Sequence, residues 1–226
     1  MQPVYVTQSG QCLPGAPVGN EDMVDFIGRL SSEAERLGRL TLRQNRIRQR
    51  HYALNRDGST DWTVAKLAAE AGRSIIARAE IPASAIGYLA TATTQNDMMV
   101  PGLASGTHAA LGLPPMEIAS LQSVCASSMM AFKSAMLQIA AREHEAALVI
   151  GAEFSSRYFR PGMYHDTATV RADETLPADA EFLRWTLSDG AAGLLLESRA
   201  AAHGLSLRID WVSLRSFADR FAPCMT

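Results

Sequence analysis

The chain has 226 residues, 47% of them hydrophobic and 19% charged, so it can bury a substantial core. A formal net charge of -2 excludes the broad basic surface of a nucleic-acid binder, since Arg43, Arg46, Arg48 and Arg50 cluster without interleaved aromatics. Cys12, Cys125 and Cys224 lie far apart with neither C-x-x-C spacing nor a histidine set, which excludes a zinc or other metal site and a disulfide framework, and fits a reducing cytosol.

In chain order, Val4 to Thr7 forms a first strand that runs on to the turn Cys12-Leu13-Pro14-Gly15. Glu21 to Leu30 carries Met23, Phe26, Ile27 and Leu30 at helical spacing. Residues 31 to 50 are more polar and predict no element. Ser59-Thr60-Asp61 supplies caps for a helix from Trp62 to Arg78, with Val64, Leu67, Ala68, Ala71 and Ile75 as its buried stripe, and Pro82 stops it. Ile86 to Thr93 is a short β-rich run. A polar loop, Gln95-Asn96-Asp97, follows, and Pro101 opens a small-residue helix through Leu111.

Met116 to Leu121 predicts a strand that hands over directly to a helix marked by Met129, Phe132, Met136 and Ile139. Ala147 to Gly151 is a buried strand, residues 155 to 180 are irregular, and Ala191 to Leu196 is another strand. Leu207, Ile209 and Trp211 then alternate with Arg208 and Asp210. Strands alternating with helices predict one α/β domain over residues 1–226 with a largely parallel sheet. The stretch from Tyr158 to Phe182 is long for a structureless connection and suits an active-site cover. No segment has the pattern of a signal peptide or a membrane span, so a soluble, cytoplasmic protein is expected.

Cys125, in Ser123-Val124-Cys125-Ala126-Ser127-Ser128, stands at the strand-to-helix handover. Backbone N–H groups and the positive end of the helix dipole favour an anion there, as a nucleophilic thiolate requires. The competing reading is a buried, inert thiol. Other chemistries lack their parts. No glycine loop of either nucleotide-binding pattern is present. Asp189-Gly190-Ala191-Ala192-Gly193 precedes a strand and is expected to be a tight turn with close backbone packing. The residues around Cys125 lack the flanking glycines of a hydrolase nucleophile elbow.

Taken in order, several stretches resemble the N-terminal half of the β-ketoacyl-acyl carrier protein synthase III enzymes of the thiolase superfamily. They are the first strand and turn ending Cys12-Leu13-Pro14, Arg46-Ile47-Arg48-Gln49-Arg50-His51, Ala90 to Thr94 leading to Val100-Pro101, Val124-Cys125-Ala126-Ser127, Leu148 to Glu153, and Ser188-Asp189-Gly190-Ala191-Ala192-Gly193. The resemblance implies a thiolase-like layered fold, α-β-α-β-α in the complete enzyme, of which this chain holds mainly the N-terminal half. It implies that Cys125 takes an acyl group as a thioester from coenzyme A or acyl carrier protein, with no permanently bound cofactor. The Cys125 backbone N–H would donate to the developing oxyanion.

In the family a His and an Asn from the C-terminal half complete the site, and that half is expected to be needed here for activity and for covering an apolar face. His51, His108, His144, His165 and His203 do not stand in the context of the family's catalytic histidine. His165, in the long loop, is a candidate for anchoring it or for facing the substrate. Two positions depart from the family. The Trp and Arg that grip the adenine end of coenzyme A fall at Leu40 and Gln44, leaving Arg43 or Arg46 to compensate. The residue before the family proline, which limits the partner subunit's acyl pocket across a dimer interface, is Val100, with Met98 and Met99 beside it.

The resemblance thus implies an acyltransferase: a condensing enzyme joining the acyl group to a malonyl or β-ketoacyl thioester in fatty-acid-like or secondary-metabolite assembly, working as a homodimer or heterodimer. Transfer to an oxygen or nitrogen acceptor without carbon–carbon bond formation is the alternative. A noncatalytic subunit that shapes a partner's pocket is a third reading, and retention of Cys125 argues against it.

Overall fold

A computed structural model describes residues 1–29, 32–163 and 178–221. The elements are β1 (Tyr5–Cys12), β2 (Val18–Gly19), α1 (Met23–Ile27), α2 (Ser32–Gln44), β3 (Gln49–Arg50), α3 (Val64–Ile76), β4 (Tyr88–Thr93), α4 (Leu103–Leu111), β5 (Glu117–Gln122), α5 (Ser127–Ala140), β6 (Ala146–Phe154), α6 (Ala178–Thr186), β7 (Asp189–Glu197) and β8 (Leu207–Arg208). They fall into two compact units. One comprises Met1–Leu13, Thr63–Glu153 and Gly190–Asp219; the other is built mainly from Pro14–Trp62 and Phe154–Asp189.

The first unit holds a six-stranded sheet in the order β5-β4-β6-β7-β1-β8. β4 runs parallel to both β5 and β6, because α4 and α5 carry the chain back across the sheet between them. The expectation of a largely parallel sheet is corrected to a mixed one, since β1 pairs antiparallel with β7 and with β8. That pairing joins residues almost two hundred positions apart, a relation that local periodicity does not carry.

Every residue of β4 is buried, as a strand covered on both faces must be. On one face Tyr88, Ala90, Ala92, Ala147 and Val149 pack with Ala131, Ala135 and Ile139 of α5. On the other, Leu148 and Ile150 lie against Gly72 of α3, so the two faces of β6 alternate as a pleated strand requires. Thr63 caps α3 by accepting a bond from the Lys66 N–H at 3.1 Å, and the helix buries the predicted stripe.

The glycine-rich run after Asp189 forms part of β7 itself rather than a turn before it. Gly10 of β1 and Gly193 of β7 are cross-strand partners. A Cβ on Gly193 would lie 2.7 Å from the Val149 carbonyl oxygen and 3.0 Å from Ile75 of α3. Glycine is needed there for close approach.

In the second unit, Val18, Met23, Ile27, Leu42, Tyr52, Phe159 and Trp185 form a separate core. Buried charges stitch it together. Arg184 donates to the Phe159 carbonyl (2.8 Å), to those of Ile27 (3.1 Å) and Gly28 (3.0 Å), and to Glu181 (3.3 Å). The Asp189 carboxylate accepts from the Ala53 N–H (2.7 Å), the Ser156 N–H (2.9 Å) and the Ser156 hydroxyl (2.5 Å). Helix α2 occupies the stretch for which no element was expected. Short 3₁₀ turns at Ser155–Tyr158 and Pro161–Met163, together with α6, take up the described part of the segment expected to be irregular. His165 lies outside the described residues. No helix among those described is long and apolar enough to cross a membrane.

Candidate active site

Parallel strands β4, β5 and β6 end on one edge of the sheet, the edge at which α/β proteins place their ligands. The last β4–β5 pair is Thr93 with Gln122, and the last β4–β6 pair is Ala92 with Gly151. Cys125 follows Gln122 by three residues and is exposed, so the inert buried thiol is ruled out. Ala126 is the N-cap of α5; the Ser127 N–H donates to the Val124 carbonyl at 3.0 Å, and the Met130 N–H to that of Ala126 at 3.0 Å. The thiol therefore stands immediately before the first turn of a fourteen-residue helix. That end of the helix is seated firmly. Ser127 is buried, and Ser128 packs directly on Gly151, where any side chain would intrude.

The β4–α4 connection crosses the same edge. Asp97 accepts bonds from the Val64 (3.1 Å) and Ala65 (3.3 Å) N–H groups at the start of α3, and the Asn96 amide donates to the carbonyls of Met98 (2.9 Å) and Pro101 (3.2 Å). The Val100–Pro101 peptide is cis. The braced loop presents Met98 (57% exposed), Met99 (94%) and Val100 (78%) to the outside. Sequence reasoning picked out these residues but gave no role to Glu153, the end of the Leu148 to Glu153 stretch, whose carboxylate anchors the start of the loop. Its signal was available: a lone acidic residue closing an otherwise apolar run, Ala146 to Ala152.

In the second unit, Arg43 and Arg46 come together with Arg39, Arg48, Asn20 and the acidic Glu21 around a cavity of about 390 Å³. Arg46 has a left-handed backbone (φ 57°) at the end of α2, where the Ile47 N–H reaches back to the Leu42 carbonyl at 3.0 Å. Glycine usually fills that position. Arg43, Arg46 and Arg48 form no ion pair with any described residue. Leu40 and Gln44 are exposed.

The described histidines serve local structure. His51 Nδ1 lies 3.1 Å from the Pro14 carbonyl, His108 Nε2 lies 3.0 Å from that of Pro114, His144 pairs with Glu117 and stacks on Tyr88, and His203 pairs with Glu80. Burial pushes the Cys12 thiol up from its ordinary range, with the Glu70 carboxylate adding to the effect. Burial likewise raises the Asp189 carboxyl above 3.8 despite its hydrogen bonds to Ser156 and Ala53. Among the described residues no three His, Cys, Asp or Glu side chains gather to hold a metal.

With this fold and an exposed cysteine at its strand-to-helix junction, the chain belongs to the thiolase family, whose N-terminal domain matches residues 51–177. Within that family its likeness is to the β-ketoacyl-acyl carrier protein synthase III enzymes. It is 34% identical over 154 residues to that enzyme of Caulobacter vibrioides (67% of this chain, 44% of the relative), and 32% identical over 161 residues to that of Neisseria gonorrhoeae (70% and 46%). Among solved structures it resembles AbyA1, a tetronic acid condensing enzyme (26% identity, TM-score 0.69, covering 88% of this chain and 56% of that one). The Pseudomonas aeruginosa synthase III shares the fold at 23% identity, with a TM-score of 0.64 and coverage of 89% and 54%. The chain spans about half the length of the curated relatives it matches.

Proposed function

We propose that this chain is the nucleophile-bearing half of an acyl-thioester condensing enzyme of the synthase III type. The observation that carries the reading is the exposed Cys125 thiol before the first turn of α5, at the carboxyl edge of the parallel strands. Its sulfur attacks the donor's thioester carbonyl and the donor thiol departs, leaving an acyl-Cys125 thioester. Backbone N–H groups at the helix start hold the oxyanion of that step. The second substrate, a malonyl thioester that loses carbon dioxide or a β-ketoacyl thioester that gives its α-proton to a base, then attacks the acyl carbonyl as an enolate stabilised by the His and Asn of the family's C-terminal half; the carbon–carbon bond forms as the acyl–sulfur bond breaks and the Cys125 thiolate is released.

The arginine cradle of Arg39, Arg43, Arg46 and Arg48 supports binding of the phosphates of the acyl donor, coenzyme A or carrier protein, because guanidinium forks match phosphate oxygens. A second copy of the chain, or a homologous subunit, covers Met98, Met99 and Val100. Val100 then bounds the acyl pocket of that other copy and leaves room there for a medium, branched or aryl chain. Met129, Met130 and Leu137 of α5 are exposed apolar residues suited to cover by the complementary half.

Intact-protein mass spectrometry after incubation with acyl-coenzyme A or acyl carrier protein tests the first step. One acyl mass is expected on wild type and none on Cys125→Ala. An acyl mass that persists in the variant sinks the mechanism. Acyl-enzyme that forms yet gives no carbon–carbon-bonded product with either malonyl or β-ketoacyl thioester, with the complementary half present, sinks the condensation step alone.

A further inference from the structure

We propose that Glu153 is a positioning residue of the Cys125 site, acting through Thr94 to fix the β4–α4 connection that carries Met98, Met99 and Val100. This rests on the reading of Cys125 as the acylated nucleophile. The backbone ladder around β4 stops at Thr93 on the β5 side and at Ala92 on the β6 side. The next residue, Thr94, is held by side chains from both neighbouring strands. From β6, Glu153 Oε1 accepts from the Thr94 N–H (2.6 Å) and the Thr94 hydroxyl (2.8 Å), while Oε2 lies 3.4 Å from the Thr93 hydroxyl. From β5, the Gln122 amide donates to the Thr94 carbonyl at 3.2 Å. The N–H, C=O and hydroxyl of Thr94 are thereby all engaged at the point where the loop leaves the sheet.

A second observation ties this clamp to the nucleophile. Glu153 lines the same groove, about 1150 Å³, as Ser128, Met129 and Phe132 from the first turns of the Cys125 helix. Gln122, the opposing half of the clamp, precedes Cys125 by three residues. A displaced Thr94 would therefore disturb both the strand end that leads to Cys125, where the Ser123 N–H reaches the Thr93 carbonyl at 3.4 Å, and the loop whose Val100 bounds the acyl pocket of the adjoining copy, and displacements near 1 Å cost about a hundredfold in rate. Fixing Thr94 needs an acceptor, not a titrating acid. That requirement separates positioning from proton transfer.

The experiment measures Cys125 acylation rates with acetyl-, hexanoyl- and decanoyl-coenzyme A, over a range of pH, in wild type, Glu153→Gln, Glu153→Ala, Thr94→Val and the Glu153→Ala/Thr94→Val double variant. Glu153→Ala is expected to lose about tenfold or more and to change the ratio between chain lengths. Glu153→Gln, which keeps an acceptor, should restore most of the loss with an unchanged pH profile, and the double variant should be no worse than Glu153→Ala. Glu153→Gln as damaging as Glu153→Ala, with one limb of the pH profile gone, overturns the proposal in favour of acid–base chemistry. Glu153→Ala with unchanged rates and ratios overturns it outright.

Should Glu153→Ala fail to fold, Thr94→Val, which deletes one of the two bonds to Oε1, must still shift the chain-length ratio. Hydrogen exchange at the Thr94 amide, slow in wild type and Glu153→Gln and fast in Glu153→Ala, reads the clamp without any acyl donor. Wild type that takes no acyl group but shows this exchange pattern refutes the acylation reading while leaving the clamp intact. Fast Thr94 exchange in wild type refutes the clamp itself.

Discussion

Replacing Gly151 by alanine should loosen the helix that carries Cys125. A Cβ at residue 151 meets the Ser128 hydroxyl well inside van der Waals contact, yet lies 3.4 Å from the Ser128 Cβ, an ordinary packing distance. The conflict is thus with one oxygen atom. Overpacking of a tight core costs about 1–3 kcal/mol, but the clashing atom is the rotatable hydroxyl of an exposed serine, which places this case at or below about 1 kcal/mol, a fall of at most about 2–4 °C in Tm for a chain of this size. Ser128→Ala removes only the clashing atom. Gly151→Ala on that background should therefore be neutral, or stabilising by about 0.5 kcal/mol through the reduced entropy of the unfolded chain. The four proteins make a double-mutant cycle with a coupling of up to about 1 kcal/mol, measured by thermal unfolding, with iodoacetamide labelling of Cys125 as a local reporter. If Ser128→Ala gives no relief, the seat of the helix on Gly151 has been misassigned.

Leu148→Ala, which empties a fully buried site against α3, should cost about 2–5 kcal/mol in calorimetric unfolding. Cys125 should be alkylated well before Cys12, which is half buried and whose thiol is raised by burial; peptide mapping after brief labelling reads the order, and Cys12 reacting first would refute it. Asp189 has its folded pKa raised by burial, so its favourable contribution is present below its ordinary 3.8 and is lost as pH rises through the higher folded value. The stability gap between wild type and Asp189→Asn should accordingly narrow as pH rises above the ordinary 3.8; a widening gap would show that the bonds from Ala53 and Ser156 outweigh burial. Val100→Phe should shift donor preference toward short acyl chains in a chain-length series, and unchanged preference would remove Val100 from the pocket.

Cys125 was legible because two local signals meet there: an apolar run ends and a helical period begins within a few residues. The same reasoning found α3, whose apolar residues share one face. It passed over α2, where Leu37 and Leu40 are exposed and Leu42 alone of its leucines is deeply buried, so the segment, though amphipathic, is too polar overall to announce a core-facing stripe. The antiparallel partnership of β1 with β7 depends on residues brought together only by the folded chain, and its cue, the facing Gly10 and Gly193, was spent on a supposed turn. Glu153 was hidden for a similar reason. Its partners, Thr93 and Thr94, are some sixty positions away, and nothing in its own neighbourhood names them.

The buried charges of the second unit also set a timetable for its biogenesis. Arg50 finds the Trp185 carbonyl 135 positions on, the Ala53 N–H finds Asp189 136 positions on, and the Ile27 carbonyl waits 157 positions for Arg184. At a ribosomal pace of about 5–20 residues per second, the shortest of these waits lasts roughly 7–27 s. The contacts of residues 63–153 can assemble during that interval, whereas the segment from Pro14 to Trp62 has emerged with local ion pairs such as Arg56 with Asp25 but still lacks the acceptors and donor that close its core. A nascent chain stalled before Arg184 would leave the Ala53 amide without its carboxylate, the Ile27 carbonyl without its guanidinium and Arg50 with Asn20 but not the Trp185 carbonyl, so the closing of that stretch is set by the arrival of residues 184–189.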